Sequence, residues 1–549
     1  MPDEFSAYYA GFLDGVYDCV DRLVLNAYFR LGQSAGGFRT WWRNLYGSDN
    51  DLDNAHLMRM AGRFSRRVHA HAKAHQIPII HCDRNERKHE IAEQYLPPEP
   101  DFVGLFLILV GRAPAPVWDV QCSKSGKIVN IARKEPWSWV NHYSFHIMDP
   151  DWGHVTIKMC AHPPFGAQII LNGHEYVACQ ARKEGIVFTK EGNCFTEVSD
   201  AAGLAQVADT LCSPDAIGRL IQVGERWIYS ACLCFALDLA EQERTGFRYD
   251  YSVYQGEYSR NLLFTQGSVM EQVFQGVVDR TRSLLEVKTL KTIFGSKKRP
   301  SRRKGQKPPR LEVVVERPVY DLTVFKIHFG KLTAKIYTKG AHVLRIEIIV
   351  HNTRALPCGR SLPKLPEIIL RLKNILNRFL NVLRCIDVAF ISDIDLDEWA
   401  TPSQMGQTRV GGVDMNKPRT RAVVEAVIGL AAAPHGFSLS DLAGRVRTLT
   451  RLAEEEYSSR QAAYDLKKLR GKNLVCRIGK SRRYETVSEG LRAMAAWLVL
   501  REKVIKPVLT GAGKPRRGPK PKHQSPIDAR YETIQIAMRN LFQTIGIAA

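Results

Sequence analysis

The chain lacks the short motifs that mark several classes of enzyme. No G-x-x-x-x-G-K-[ST] phosphate loop and no G-x-G-x-x-G loop after a predicted strand occurs in its 549 residues. Nucleotide hydrolysis therefore has no sequence support. The twelve cysteines include no C-x-x-C pair, which argues against a zinc ribbon and against a disulfide framework. We expect reduced cysteines, as in the cytoplasm.

Long apolar runs are also missing. The longest, residues 102–111, covers only about half of the ~20 residues that a membrane-spanning helix needs. Asp3 and Glu4 occupy the region where a secretory signal carries basic residues. The sequence thus predicts a cytoplasmic protein without a membrane partner.

Negative charge is in deficit. The chain has 78 lysines and arginines against 56 aspartates and glutamates, a formal net charge of +22. Such a balance favours a polyanionic partner. Two basic clusters, residues 297–310 and 514–522, are rich in proline or glycine. We predict that both are flexible linkers.

Residues 457–487, Y-S-S-R-Q-A-A-Y-D-L-K-K-L-R-G-K-N-L-V-C-R-I-G-K-S-R-R-Y-E-T-V, predict a helix followed by a two-stranded ribbon. Ser458 or Ser459 can cap the helix, and Gly471 can end it in the left-handed conformation. The basic turn between the strands would form a wing. The predicted nucleic-acid-binding residues of this helix and wing are Arg460, Gln461, Tyr464, Lys467, Lys468, Arg477, Lys480, Arg482 and Arg483.

Two more helices are predicted before this segment, at 421–433 and from Ser438 or Ser440 to about Thr450. The order helix, helix, helix, wing resembles the winged helix of multiple-antibiotic-resistance-regulator (MarR-like) proteins over about residues 420 to 505. The resemblance implies that the third helix enters the major groove of DNA while the wing contacts phosphates or the neighbouring minor groove. A protein-docking module is the alternative role for such a fold.

Over nearly its full length, the chain is also similar to an uncharacterised bacterial family. Segments 105–118, 142–177 and 460–484 carry this similarity. It implies a mobile-element-like gene with a MarR-like C-terminal domain. It implies no particular biochemical activity.

A histidine-rich hairpin is predicted within residues 142–159, with its turn at 149–153. Alternation places His142, His146 and His154 on the face opposite the apolar side chains. These histidines could bind zinc together with a turn aspartate, although a spacing of four suits a helix better than a strand. Phosphate binding or structural hydrogen bonding is the alternative.

Residues 321–350 predict three strands bounded by two glycines. Within the stretch 335–347, K-I-Y-T-K-G-A-H-V-L-R-I-E, one face is polar. Lys335, Lys339 and Arg345 on this face could bind a nucleic-acid backbone.

The same stretch resembles the K-x-Y-x-K and L-R-I-E patterns of rolling-circle replication initiators. The resemblance implies a nicking enzyme in which Tyr337 attacks a phosphodiester and Glu347 helps to hold Mg²⁺ or Mn²⁺. The chain departs from that family because its one histidine-x-histidine triplet, at 69–71, falls in a predicted helix and not in a strand.

The patterns together predict an α+β, multidomain protein. Residues 126–295 contain a second predicted hairpin, with Asn172-Gly173 as its turn, and helices from about residue 200, including the aromatic tract 248–254. The predicted units are a mixed α/β domain (1–125), β-hairpins plus helices (126–295), a basic linker (296–310), an antiparallel sheet plus helix (311–400), a winged helix (420–505), and a basic linker with a terminal helix (506–549).

The leading functional prediction is DNA binding through the winged helix, with RNA as the alternative nucleic acid and a mobile element as the setting. A metal-dependent nicking or replication-initiation enzyme is the second prediction, with Mg²⁺ or Mn²⁺ ahead of zinc. A ligand-responsive transcriptional regulator or a structured-RNA-binding protein is the third. The amphipathic helix predicted at 527–545 could form a homodimer contact.

Overall fold

A computed structural model describes residues 3–83, 86–99, 101–284, 313–316, 324–387 and 393–501, with scattered residues between 530 and 544. The predicted linkers at 296–310 and 514–522 lie outside the described residues, as does most of the predicted terminal helix. The homodimer contact predicted for that helix therefore stays a prediction.

Helices and strands are interspersed along the described residues, and the α+β class is confirmed. No helix in this part of the chain combines the length and the apolar character that a bilayer crossing requires. The helices are α1 (Glu4–Tyr8), α2 (Ala35–Tyr46), α3 (Asn54–Ala74), α4 (Lys88–Gln94), α5 (Gly173–Lys183), α6 (Ala201–Asp209), α7 (Asp215–Ile228), α8 (Leu239–Thr245), α9 (Gly267–Leu284), α10 (Leu365–Asp387), α11 (Asp393–Ala400), α12 (Pro418–Ala431), α13 (Leu439–Thr450), α14 (Ser459–Gly471) and α15 (Ser488–Leu500). The strands are β1 (Leu13–Phe29), β2 (Ile79–His81), β3 (Gly104–Ala115), β4 (Trp118–Cys122), β5 (Ile128–Arg133), β6 (Ser138–Asp149), β7 (Gly153–Cys160), β8 (Ala167–Asn172), β9 (Phe188–Lys190), β10 (Phe195–Val198), β11 (Tyr249–Phe264), β12 (Val313–Glu316), β13 (Val324–Phe329), β14 (Leu332–Lys339), β15 (Val343–Val350), β16 (Ser403–Met405), β17 (Thr408–Val410), β18 (Val475–Arg477) and β19 (Tyr484–Thr486).

Eleven strands form one large sheet in the order β12-β13-β14-β15-β11-β1-β8-β7-β6-β3-β2. β2 and β3 are parallel, with α4 between them. The long central strands β1 and β11 are antiparallel, and β11 also pairs with β15. The predicted domain boundaries near residues 125 and 295 therefore separate strands that this sheet joins. Pairing between distant segments leaves no trace in local periodicity.

Two hairpins have the predicted polar and apolar faces. In β6 and β7, Phe145 lies opposite Ile157, so the apolar positions share one face and the histidines the other. In β14 and β15, Lys335 lies opposite Glu347. Alternation of polar and apolar residues is a local signal, which explains why it identifies these faces.

Two other predictions for the middle of the chain are wrong. Residues 174–177 begin α5 and do not form a strand, because the Asn172 side chain accepts a hydrogen bond from the His174 N–H at 3.0 Å and caps the helix. An Asn-Gly pair serves helix capping as well as hairpin turns. The aromatic tract 248–254 belongs largely to β11 and not to a helix. Tyr249 and Val253 are buried there in the core of the sheet.

Helices cover both faces of the sheet. On one face, Arg260 of β11 donates a hydrogen bond to Asn377 of α10 at 3.0 Å. On the other, His174 of α5 and Phe195 of β10 pack against the ring of Tyr17 in β1. The C-terminal module, which we define as α12–α15 with β18 and β19, packs on α10 through α15. An ion pair between Arg378 of α10 and Glu485 (2.5 Å) supports this contact, and a second one joins Arg492 of α15 to Glu4 of α1 (2.6 Å).

Candidate nucleic-acid interface

The C-terminal module contains its helices and strands in the order predicted for a winged helix. Ser438 caps α13 and Ser458 caps α14, each in a reciprocal capping box with the residue three positions later. The predicted caps are thus present. The interior face of α14 contributes Ala462, Leu466 and Leu469 to the core, each at most 1% exposed. Hydrophobic burial on this face fixes which side of the helix points outward.

The outward face of α14 presents exposed Arg460 and Tyr464 and half-buried Lys467. The ammonium of Lys468 lies 4.7 Å from the centre of the Tyr464 ring, a cation–π contact that orients both side chains. Gln461 has a different role from the predicted one. Its Oε1 accepts a hydrogen bond from the Ser458 N–H at 2.6 Å, so this amide caps the helix.

The wing connects β18 and β19, and its four cations divide into two pairs. Arg477 Nη2 donates to the Lys480 carbonyl at 3.1 Å within the ribbon, and Arg483 Nη1 donates to the Gly436 carbonyl at 3.0 Å, in the loop before α13. The side chains of Lys480 and Arg482 are exposed at the tip. Of the predicted wing contacts, Lys480 and Arg482 are therefore the better placed to meet a partner.

Gly471 does not end α14 in the left-handed conformation, and that prediction is wrong. Asn473 takes the left-handed conformation two residues later, with φ of +53°. Gly471 instead allows the β16–β17 hairpin to approach the helix. A Cβ at residue 471 would lie only 2.9 Å from the Ser403 Cβ, closer than packed carbon atoms tolerate.

The polar face of β14 and β15 is buried and does not form a basic surface. Arg345 has no exposed surface. Its guanidinium donates to Asp21 at 2.5 Å, to the Asn193 carbonyl at 2.5 Å and to Asn261 at 3.1 Å. The prediction that Arg345 contacts nucleic acid therefore disagrees with its position. Alternation identified the polar face, but the β9–β10 hairpin packs against it through the Asn193 carbonyl, and this approach is a tertiary effect.

Charge on this face is balanced internally. Lys335 donates from Nζ to Glu347 at 2.6 Å, and Glu347 is also 3.3 Å from Arg345 Nη2. Burial, followed by the nearby Glu347, raises the pKa of Glu257 to about 7. Lys335 and Lys339 are half-buried. The pairing of Lys335 leaves less positive charge for a phosphate than the sequence pattern predicts.

The surroundings of Tyr337 and Glu347 do not favour nucleophilic attack. Both side chains are buried, and the Tyr337 hydroxyl donates to Glu347 Oε1 at 3.3 Å. Burial raises the pKa of Tyr337 well above its usual value, although Arg345 opposes this rise. The phenol therefore stays protonated at neutral pH, whereas a tyrosine nucleophile must lose its proton.

The three histidines proposed as zinc ligands do not form one cluster. His146 Nδ1 and His154 Nε2 lie 2.9 Å apart. His142 Nδ1 lies 3.2 Å from the Val140 carbonyl. Burial lowers the pKa of His142 to about 4 and that of His146 to about 3. Neutral, hydrogen-bonded imidazoles explain the close approach of His146 and His154. This agrees with the alternative of structural hydrogen bonding.

Within the described residues, one group of potential metal ligands does converge: Cys19, Asp21 and His174, with ligand atoms within 4.8 Å of one another. The sequence gives no local signal for this group, because His174 is distant in the chain from the other two. The guanidinium of Arg345 already occupies one oxygen of Asp21, and its positive charge opposes a metal ion there. Burial would raise the pKa of Asp21, but Arg345 and His174 lower it to about 2.

Comparison with known proteins gives no relative from which a function could be transferred. No family model, no curated protein and no solved structure matches the chain. The residues themselves therefore carry the functional argument.

Proposed function

We propose that the protein binds duplex DNA through the outward face of α14 and the wing of its C-terminal module. The observation that carries this proposal is the presence of exposed cations on two adjacent elements, Arg460 on α14 and Lys480 with Arg482 on the wing. A helix of this kind suits the major groove, and a basic ribbon beside it suits the phosphate backbone. The net charge of +22 favours approach to a polyanion.

Different residues of α14 are expected to contact different parts of the duplex. Arg460, Tyr464 and Lys467 are four and three positions apart, so they share one side of the helix. Arg460 and Tyr464 lie in the first two turns, the part of a recognition helix that contacts base edges. Ser458 caps the same end, where the helix dipole favours a phosphate.

DNA is favoured over double-stranded RNA for a geometric reason. The major groove of A-form RNA is too deep and narrow for side chains to read, whereas that of B-DNA admits an α-helix. Association with a mobile element and regulation by a ligand stay predictions. The nicking enzyme has less support, because the hydroxyl of Tyr337 is buried and bonded to Glu347.

Fluorescence anisotropy with labelled duplex DNA, measured over a series of salt concentrations, tests the proposal. Wild type should bind duplex DNA more tightly than single-stranded DNA or double-stranded RNA. The double variant Arg460→Ala/Lys467→Ala should bind more weakly. The slope of log Kobs against log salt should fall in magnitude by about 0.9, since each lost phosphate contact contributes about 0.9 and Lys467 is the phosphate contact of the two residues.

Arg66→Ala/Lys73→Ala is the matched control. It removes one arginine and one lysine from exposed positions of another helix, α3. It should bind duplex DNA with the affinity and the salt slope of wild type. Equal losses of affinity in both double variants would show that binding depends only on the net positive charge. Unchanged binding by the α14 variant would exclude α14 from the interface.

A further inference from the structure

The β16–β17 hairpin packs against the outer side of α14. Gly471 lacks the side chain that would collide with Ser403, and a Cβ at Gly471 would also lie 3.7 Å from Met405 Cγ. A Cβ at Gly411, just after the hairpin, would lie 3.9 Å from both Lys468 Cε and the Tyr464 hydroxyl. The hairpin therefore borders the surface that we propose for DNA.

The wing and this hairpin approach α14 from different directions. Arg470 lies on the side of α14 that faces the wing, and its guanidinium is 5.7 Å from the centre of the Tyr484 ring in β19. Gly471, one residue later, faces the hairpin, and one residue rotates the direction by about 100°. Lys467 precedes these two residues by three and four positions, so it points between them. The outward face of α14 thus lies between two β-ribbons.

The base of the hairpin is well anchored. Val410 and Val413 are 3% and 2% exposed, and the Val413 N–H donates to the Trp399 carbonyl at 2.6 Å. Lys472 of the C-terminal module donates from Nζ to Thr401 Oγ1 at 3.0 Å. These contacts hold the hairpin in place beside α14. A partner would therefore meet a preformed ribbon, which lowers the entropic cost of binding.

The exposed residues of the hairpin suit a polyanion. Residues 403–412, S-Q-M-G-Q-T-R-V-G-G, contain one cation and no carboxylate. Arg409, Gln404, Gln407 and Thr408 are all exposed, and such side chains commonly contact phosphate and sugar. A segment that blocked α14 by imitating nucleic acid would present carboxylates to the cations of the helix. This hairpin presents none.

We propose that the β16–β17 hairpin is a second nucleic-acid-binding ribbon, which contacts the phosphate backbone of the duplex on the side of α14 away from the wing. Arg409 is its charged contact. This inference rests on the proposed function of α14. It adds a surface that lies outside the three-helix module and that the resemblance to MarR-like proteins does not include.

Arg409→Ala in the full-length protein tests the inference, with duplex DNA as the probe. Affinity should fall about three- to tenfold, and the salt slope should decrease in magnitude by about 0.9. Arg409→Lys should keep the slope of wild type, and Arg66→Ala serves as the control. Hydroxyl-radical footprinting should lose protection at one flank of the bound site. An unchanged melting temperature will exclude unfolding as the cause.

The outcomes separate this inference from the proposed function. If wild type binds and Arg460→Ala/Lys467→Ala weakens binding, but Arg409→Ala has the wild-type affinity and slope, the second ribbon is wrong and the α14 interface stands. Tighter binding by Arg409→Ala would identify the hairpin as a cover and would also overturn the inference. A wild-type protein that ignores duplex DNA overturns both.

Discussion

Arg345 donates a hydrogen bond to Asp21 at 2.5 Å, and neither side chain has exposed surface. The two residues belong to β15 and β1, which are separated in the sheet by β11. The intervening strand completes the network, since Asn261 accepts from Arg345 at 3.1 Å and Ser259 donates to Asp21 at 3.0 Å. This ion pair therefore ties three strands together.

Replacing one partner of that ion pair should destabilise the protein more than the loss of the pair as a whole would. Asp21→Asn leaves the buried guanidinium without its closest carboxylate, and we expect a loss of about 3–5 kcal/mol in unfolding free energy. Arg345→Met should cost a similar amount, because it leaves the buried aspartate without its guanidinium partner. The double variant should lose clearly less than the sum of the two. Urea unfolding of all four proteins measures the coupling, and strictly additive losses would contradict it.

Stability should fall in mild acid because of His146. Burial, then His154 and Lys88, lowers its pKa to about 3, whereas an unfolded histidine titrates near pH 6.5. Between these values the unfolded state binds the proton and the folded state does not, so stability decreases as the pH falls through this window. His146→Gln should flatten the dependence of melting temperature on pH between about 6.5 and 4.

The comparison in that experiment must be between variant and wild type. Glu257, whose pKa burial raises to about 7, acts in the opposite direction: the folded state binds the extra proton, and its contribution is lost as the pH rises through 7. Glu257→Gln should therefore increase stability mainly above pH 7. If His146→Gln keeps the full acid sensitivity of wild type, the histidine pair is not its source.

Gly471→Val should displace the β16–β17 hairpin. The new side chain would meet Ser403, because even a Cβ would lie 2.9 Å from the Ser403 Cβ, and overpacking of this kind costs about 1–3 kcal/mol. Hydrogen exchange should become faster in residues 403–410 and stay unchanged in α12. Gly444→Ala is the control, since it faces open space in α13 and should stabilise by about 1 kcal/mol through helix propensity. Unchanged exchange in the hairpin would show that it is not packed there.

Local signals predicted the elements that carry the candidate site. Ser438 and Ser458 cap their helices as expected, and alternation placed Lys335 and Glu347 on the same polar face. Each of these features depends on residues a few positions apart, or on two strands joined by a short turn. The exposed face of α14 follows from the same kind of information.

The sequence could not indicate which polar residues are buried. Arg345 is held by Asp21, 324 residues earlier, and a buried ion pair has the same alternation pattern as a solvated basic face. Local sequence signals also gave a wrong role for Gly471, because a glycine near a helix end predicts a left-handed cap. Its actual reason is the close approach of Ser403, a residue that no nearby pattern relates to it.

The pairing of β1 with β11 has a consequence for synthesis of the chain. Tyr258 bonds to Asp18, a residue 240 positions earlier. At roughly 5–20 residues per second on the ribosome, β1 waits ~12–48 s for this partner after it is made. During that delay, a 17-residue strand with unsatisfied backbone groups is open to other nascent chains. We therefore expect productive expression to depend on chaperones that act on the emerging polypeptide.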